Sequence, residues 1–275
     1  MRESLKKTRN RIIEFSERRR LFLIVSVISS ISVSMMEKKV FRIKWDGYDY
    51  RYKWNGGCLY FGKPLERISR HDEEFSFFTH FYVPKMGDVV VDIGAGVGTE
   101  TVKFSKLVGP SGHVIAIEPD PVAARRLRKA VSELLDKNVT ILELAIGDKN
   151  EDIAIYSEMP GAIQTSIFAY ESDFSLLVEG RRFDSLFQRH VIDKVDFVKM
   201  NIEGAEIKAL VGLGAESEKV MNIVVSCHDF TGVEELRTFE KTRNLLRDLN
   251  FQTSLLPLHQ GNHWRNFFVF GSKPL

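Results

Sequence analysis

Cysteine is nearly absent from this 275-residue chain: Cys58 and Cys227 stand far apart and in no metal-ligand spacing. Two isolated cysteines argue against a disulfide scaffold and against a metal site, and they point to a reducing, cytoplasmic setting. A surplus of charge is also missing. The formal net charge is +2, which implies no strongly charged polymer as partner. Beyond the first twenty residues no concentrated basic and aromatic surface marks a nucleic-acid binder. No internal repeat, no low-complexity tract and no apolar run of the ~20 residues that span a bilayer is found. What remains is a globular protein, 44% hydrophobic, with room for one full α/β domain and an extra segment, or two small domains.

Residues 1–20 are strongly basic and end in Arg18-Arg19-Arg20. An apolar, serine-rich run from Leu21 to Met36 follows, then Lys38-Lys39. Three readings stay open for residues 1–36. Basic residues flanking an uncharged stretch fit a membrane anchor, with membrane association through residues 18–39. The run also fits a packed or peripheral helix. Alternatively, the native start is Met35 or Met36. Residues 37–83 read as a small β-hairpin plus helix. Phe41, Ile43 and Trp45 alternate with polar residues, and Asp46-Gly47 makes a turn. Tyr48, Tyr50, Tyr52 and Trp54 then alternate up to a second turn at Asn55-Gly56-Gly57. The aromatic alternation predicts a packing face. A helix is expected over 64–81.

Residues 84–275 alternate strand and helix. Strands are expected at 89–91, 114–117, 139–146, 195–202 and 223–226, with a closing pair at 251–256 and 266–270. Helices are expected at 97–108, 121–135, 203–211 and 234–249. Repeated strand-helix units predict an α/β fold: a mostly parallel, Rossmann-like sheet covered on both faces, with an antiparallel strand pair at its edge. Ligands of such sheets bind outside the carboxyl ends of the strands.

The central motif is Asp92-Ile93-Gly94-Ala95-Gly96-Val97-Gly98, between a buried strand and a helix. Glycines allow a tight turn and a close approach of backbone to ligand. Glu118 ends the next strand, where a carboxylate can accept hydrogen bonds from ribose hydroxyls. Two cofactors fit, a nicotinamide dinucleotide and S-adenosylmethionine. The spacing is G-x-G-x-G rather than G-x-G-x-x-G. Asp92 would also repel a pyrophosphate but suits an ammonium or sulfonium group. Both details favour S-adenosylmethionine.

These residues, together with Gly112-His113-Val114 and Glu118-Pro119-Asp120-Pro121, resemble the cofactor half of FkbM-type methyltransferases. Arg182-Phe183-Asp184-Ser185-Leu186, the stretch from Val195 to Glu206 and Asn266-Phe267-Phe268-Val269-Phe270 resemble the other half. The likeness covers residues 70–271, and its most specific element is Lys-x-x-x-Glu-Gly-x-Glu, Lys199 to Glu206. It implies a class I methyltransferase sheet, S-adenosylmethionine as methyl donor and a hydroxyl acceptor on a sugar, glycan or small metabolite. Family members usually carry aspartate where this chain has Asn201. A non-catalytic cofactor-binding module is therefore the alternative, and a nicotinamide-dependent oxidoreductase the more remote one.

The expected cofactor-binding residues are Asp92, Gly94, Ala95, Gly96, Gly98, Glu118, Ala145 and Asn201. Ala145 enters because the third strand should end beside the adenine; Asp148 could add a side-chain contact. The expected catalytic residues are Lys199, Glu203 and His228. Lys199 and Asn201 share one side of their strand, and Glu203 and Glu206 should share a helix face. With Glu203, Lys199 and Asn201 would line the acceptor side of the pocket. His228, after the next strand, could take the acceptor's proton near neutral pH. His263, beside Trp264 and Arg265, is a candidate substrate contact. No metal is expected. Acceptor choice should reside in segments 40–80 and 157–182.

Overall fold

A computed structural model describes residues 21–157, 174–189, 192–261 and 263–274. Residues 1–20 and most of 157–182 lie outside the described residues. The chain divides into two compact units, Met1–Glu74 and Phe75–Leu275.

In the first unit, helix α1 (Phe22–Glu37) precedes a three-stranded antiparallel meander, β1 (Arg42–Trp45), β2 (Tyr50–Trp54) and β3 (Gly57–Phe61). The serines of the apolar run explain why this helix packs where it does. Strand β1 is an edge, so the backbone N–H groups on its outer side need partners. Ser26, Ser30 and Ser34 accept hydrogen bonds from the N–H groups of Trp45, Ile43 and Phe41, at 3.1, 2.8 and 2.8 Å. The periods agree: four helical residues rise ~6 Å and two strand residues ~6.8 Å. Phe22 stacks on Trp45 at 4.5 Å. Tyr50 and Tyr52 are fully buried, so the aromatic alternation is a packing face, while Tyr48 stays exposed. Among the described residues no helix is long and apolar enough to cross a membrane. Phe22–Glu37 is a helix packed on β1 through these serines.

Helix α2 (Ile68–Phe78) carries the chain into the second unit. There follow β4 (Val89–Ile93), α3 (Thr101–Val108), β5 (His113–Ile117), α4 (Pro121–Ser132) and β6 (Val139–Leu142). Next come β7 (Ala145–Gly147), β8 (Ile153–Ser157), β9 (Phe174–Val178), β10 (Gly180–Arg182) and α5 (Phe183–Arg189). The unit closes with β11 (Phe197–Met200), α6 (Glu206–Leu213), β12 (Asn222–Ser226), α7 (Phe239–Asp248), β13 (Gln252–Leu255) and β14 (Phe268–Ser272).

Seven strands form one sheet in the order β13-β14-β12-β11-β4-β5-β6. The five from β12 to β6 are parallel, and β14 and β13 add an antiparallel edge. This is the expected Rossmann-like class I methyltransferase sheet. One face packs on α5, α6 and α7 through Phe183, Leu210 and Leu246; the other packs Val90, Val114 and Phe197 against Phe78 and Phe104. The strand order reverses between β4 and β11. The carboxyl ends of β4, β5, β11 and β12 therefore bring four sequence-distant segments to one edge of the sheet.

The expected third strand breaks in two. Strand β6 stops at Leu142, and β7 leaves the main sheet to pair in parallel with β10. Helix α3 begins at Thr101, not at 97, because the left-handed turn at Gly98 (φ 94°) continues the loop. Helix α4 starts on Pro121, with Asp120 accepting from the N–H groups of Val122 and Ala123.

Candidate active site

The glycine loop is held from three sides. The N–H groups of Gly94 and Ala95 donate to the Ile117 carbonyl, at 3.0 Å each. A side chain at Gly94 (φ 75°) would collide with the Asn201 carbonyl, and one at Gly98 would meet Leu127 at 2.8 Å. A side chain at Gly96 would meet nothing within 4 Å. Gly94 and Gly98 therefore serve packing, and Gly96 presents bare backbone to open space, where a ligand can lie against it.

Glu118 extends from the end of β5. Its two oxygens accept the N–H groups of Gly96 (2.7 Å) and Asp120 (2.9 Å). Burial pushes its pKa up to about 7, with both backbone hydrogen bonds pulling the other way.

Three sequence assignments are corrected by geometry. The first concerns Lys199, expected beside the acceptor. It faces Asp92 across the β11–β4 register and is 1% exposed. Its ammonium pairs with Asp92 at 3.0 Å and donates to the Gly94 carbonyl at 2.7 Å. Burial alone would lower its pKa; Asp92, with Glu100 and Glu118, raises it instead. Through these two contacts Lys199 ties β11 to the glycine loop. Asp92 is engaged within the protein as well. It is fully buried, and its second oxygen accepts from the Thr101 hydroxyl at 2.6 Å. Its charge is met by Lys199.

The second concerns Ala145. Its N–H donates to the Glu179 carbonyl at 2.8 Å, so this amide is committed to pairing. Asp148 offers its carbonyl to Arg182 at 2.8 Å.

The third concerns Glu203 and His228. Glu203 and Glu206 do not share a helix face, because Glu203 (φ 49°) and Gly204 (φ 100°) form a left-handed turn before α6. The turn swings Glu203 onto His228 Nε2, at 3.2 Å, while Glu206 Oε1 lies 3.4 Å from Nδ1. Glu206 is fully buried and accepts from the Gly204 N–H and the Thr238 hydroxyl. Burial alone would depress His228, but the two carboxylates raise its pKa to about 10. At neutral pH His228 is an imidazolium, and it does not accept a proton there. The imidazolium separates the two carboxylates, giving a line of charges, not a cup converging on one ion. Glu203, 18% exposed at its side chain, is the member of the line that reaches the surface.

Histidine in an unfolded chain titrates near ~6.5. The pairing's contribution to stability is therefore full below about pH 6.5 and is lost as pH rises through about 10. NMR of the His228 ring carries the corresponding expectation. The ring stays protonated at pH 8 in the folded protein, and in Glu206→Gln it titrates at lower pH. A neutral ring at pH 7 in the unsubstituted protein would contradict the geometry.

Asn201 follows β11, its N–H donating to the Ile93 carbonyl at 3.1 Å. Its side-chain oxygen Oδ1 is buried and accepts no hydrogen bond from the described residues. A buried acceptor beside the glycine loop suits a ligand that brings a donor, such as an ammonium group. His263 is exposed, while Trp264 and Arg265 pack on Phe77. Asp229 holds the start of α7, accepting from the N–H groups of Thr238 and Phe239. Sequence reasoning missed Thr101, Thr238 and the Glu206–His228 contact. Glu206 lay within the most specific motif, but its partner is twenty-two positions away.

A family model described as the methyltransferase FkbM domain matches residues 92–253. Among curated proteins, the 2-O-methyltransferase NoeI of Sinorhizobium fredii is 26% identical over 166 residues, 54% of this chain and 65% of that protein. The hexuronic acid methyltransferase AglP of Haloferax volcanii is 24% identical over 186 residues, 68% of this chain and 71% of that protein. The chain spans less than two thirds of the length of NoeI. Fibrillarin of Aeropyrum pernix, solved with bound S-adenosyl-L-methionine, aligns over 82% of this chain and 94% of its own, at 12% identity and a TM-score of 0.46.

Proposed function

The chain belongs to the FkbM methyltransferase family, and from that premise we propose that it methylates a hydroxyl group of a sugar or glycan, with S-adenosylmethionine as donor. The observation that carries the reading is the convergence of three elements at one sheet edge. The Gly96 backbone faces open space beside Glu118, Asn201 offers a buried acceptor, and Glu203, two residues further on, has its charge held by His228. The names of NoeI and AglP, a 2-O-methyltransferase and a hexuronic acid methyltransferase, support a sugar hydroxyl as acceptor.

The residues fit the donor. Gly94, Ala95, Gly96 and Gly98 would supply the loop, Glu118 would accept from the ribose hydroxyls, and Asn201 Oδ1 would accept from the amino group. When bound, S-adenosylmethionine supplies a methyl group already activated on a sulfonium. Orientation is then the main contribution left to the protein. Lys199 fixes the loop and β11 together, so Gly96 and Asn201 keep their places. A hydroxyl must also lose its proton, and Glu203 is placed to take it. His228, charged and held by Glu206, keeps Glu203 turned toward the acceptor side.

Incubation with methyl-labelled donor and a panel of uronic acids and neutral sugars tests the reading. Label is expected in an alkali-stable methyl ether on sugar. Label appearing only as a methyl ester on a carboxylate would contradict it.

Glu118 gives the cofactor site a pH dependence. The ionised carboxylate is the stronger acceptor, and its pKa stands at about 7. Affinity for S-adenosylhomocysteine is expected to rise with pH through about 7 and to level above it. Calorimetry from pH 6 to 8 reads this; a flat profile would remove Glu118 from the ribose.

A further inference from the structure

Helix α1 presents an apolar face that none of the described residues of its own unit covers. Its inner side spends Ser26, Ser30 and Ser34 on strand β1 and buries Val25 and Val33. Ile24, Ile28, Ile31 and Met35 recur at helical spacing on the opposite side, with exposures of 54, 54, 57 and 75%. Leu23 and Val27 widen the stripe, at 78 and 53%. From Leu21 to Met36 there is not one charged side chain. A helix on a globular surface normally turns its charged side to water. Here the side toward water is aliphatic, and a contiguous patch of this kind marks an interaction surface.

The flanks identify the partner. Arg18, Arg19 and Arg20 precede the helix, and exposed Lys38 follows it. Lys39, also exposed, contacts Asp72 at 3.5 Å. The preceding twenty residues carry eight basic side chains against three acidic ones. Two copies of such a face would bring like charges together. A lipid bilayer with anionic headgroups offers both halves of the match: hydrocarbon for the isoleucines and negative charge for the flanks. The helix has 16 residues; it is ~24 Å long, short of the ~30 Å hydrocarbon core, and one long side is bonded to β1. It suits lying in the interface, not crossing it. We propose that the outer face of α1 docks the protein on anionic membrane surfaces, in the plane of the headgroups.

Co-sedimentation of the full chain with vesicles tests this, using phosphatidylcholine alone and phosphatidylcholine mixed with phosphatidylglycerol. The protein is expected to pellet with the mixed vesicles, and less so as salt rises. The Ile28→Asp, Ile31→Asp double variant is expected to lose at least about ten-fold in partitioning, since the substituted side chains must leave the hydrocarbon. Both sites face solvent, so the thermal melt should hold. The uncharged variant Ile24→Ser, Ile28→Ser, Ile31→Ser serves as a second probe and should show the same loss. Equal pelleting of the unsubstituted and substituted proteins would overturn the proposal, as would no pelleting with either vesicle. Sedimentation velocity without lipid adds a third contrary result. A dimer that both variants convert to monomer would place a second copy on this face instead.

Discussion

Glu203→Gln is expected to lower kcat by about 10²–10⁴-fold, the usual loss when a positioned proton acceptor is removed. The dissociation constant for S-adenosylhomocysteine should not change. The substitution keeps the size and hydrogen-bonding capacity of the side chain, and so keeps the left-handed turn at φ 49° that aims it. What it removes is the negative charge 3.2 Å from His228 Nε2. A residue that merely braced the turn would tolerate glutamine. Glu203→Asp should recover part of the rate, because a carboxylate returns at a shorter reach. The NMR signature of His228 should move with the rate, since one of its two charge partners has gone. Unchanged turnover, or a fall in turnover matched by a loss of cofactor affinity, would remove Glu203 from proton transfer. The second outcome would make it a scaffold residue of the loop.

Lys199→Met should destabilise the protein by about 3–5 kcal/mol, the range for breaking a buried ion pair from one side. For a domain of this size the melting temperature falls by ~2–4 °C per kcal/mol, so a loss of roughly 10 °C is expected. The cause is Asp92, which is 0% exposed and loses the cation that stands 3.0 Å from it. The double variant Lys199→Met, Asp92→Asn should regain much of that stability, because the neutral amide can still accept from Thr101 and leaves no unpaired charge at position 92. Its affinity for S-adenosylhomocysteine should nevertheless stay weakened, because the hydrogen bond from Lys199 to the Gly94 carbonyl is absent. Thermal melts and calorimetry on the three proteins separate the two roles. A double variant no more stable than Lys199→Met would mean that the pair is not the energetic unit described here.

The parts of this fold that were legible in the sequence are those set by local chemistry. The run Val89-Val90-Val91 can only be a buried strand, and the glycines after it can only be a tight loop. Pro121 with Asp120 marks the start of α4 without any tertiary information. The α/β alternation follows from such segments in order. Boundaries failed where tertiary structure overrode pattern. Residues 139–146 look like one strand, yet the segment breaks after Leu142 because Ala145 pairs with β10, a partner invisible to local reading. The run from Glu203 to Val211 looks like one helix. The positive φ of a non-glycine residue at 203, forced by the turn that sends Glu203 toward β12, is not a sequence signal.

The expected site residues are legible in the sequence as neighbours at one sheet edge, but not in the contacts they make there. The glycines, Glu118, Asn201, Glu203 and His228 all reach the same sheet edge. Lys199 and Asp92 reach it too, but as each other's partners. Strand alternation says which side a lysine takes; it does not say that the neighbouring strand carries a carboxylate in register. Sequence alone makes His228 a candidate base, because an isolated histidine titrates near neutrality. With a carboxylate on each ring nitrogen it is a cation instead. The serines of α1 stand in an apolar run, and their purpose is readable only beside the strand whose N–H groups they accept.

The central claim is that the loop from Asp92 to Gly98, with Glu118, binds S-adenosylmethionine and not a dinucleotide. Calorimetric titration of the full chain at pH 8 with S-adenosylhomocysteine, and separately with NAD, tests it most directly. One-to-one binding of S-adenosylhomocysteine, weakened in Glu118→Gln and with no heat from NAD, is the predicted result. Binding of NAD alone, or of neither ligand, would contradict the account.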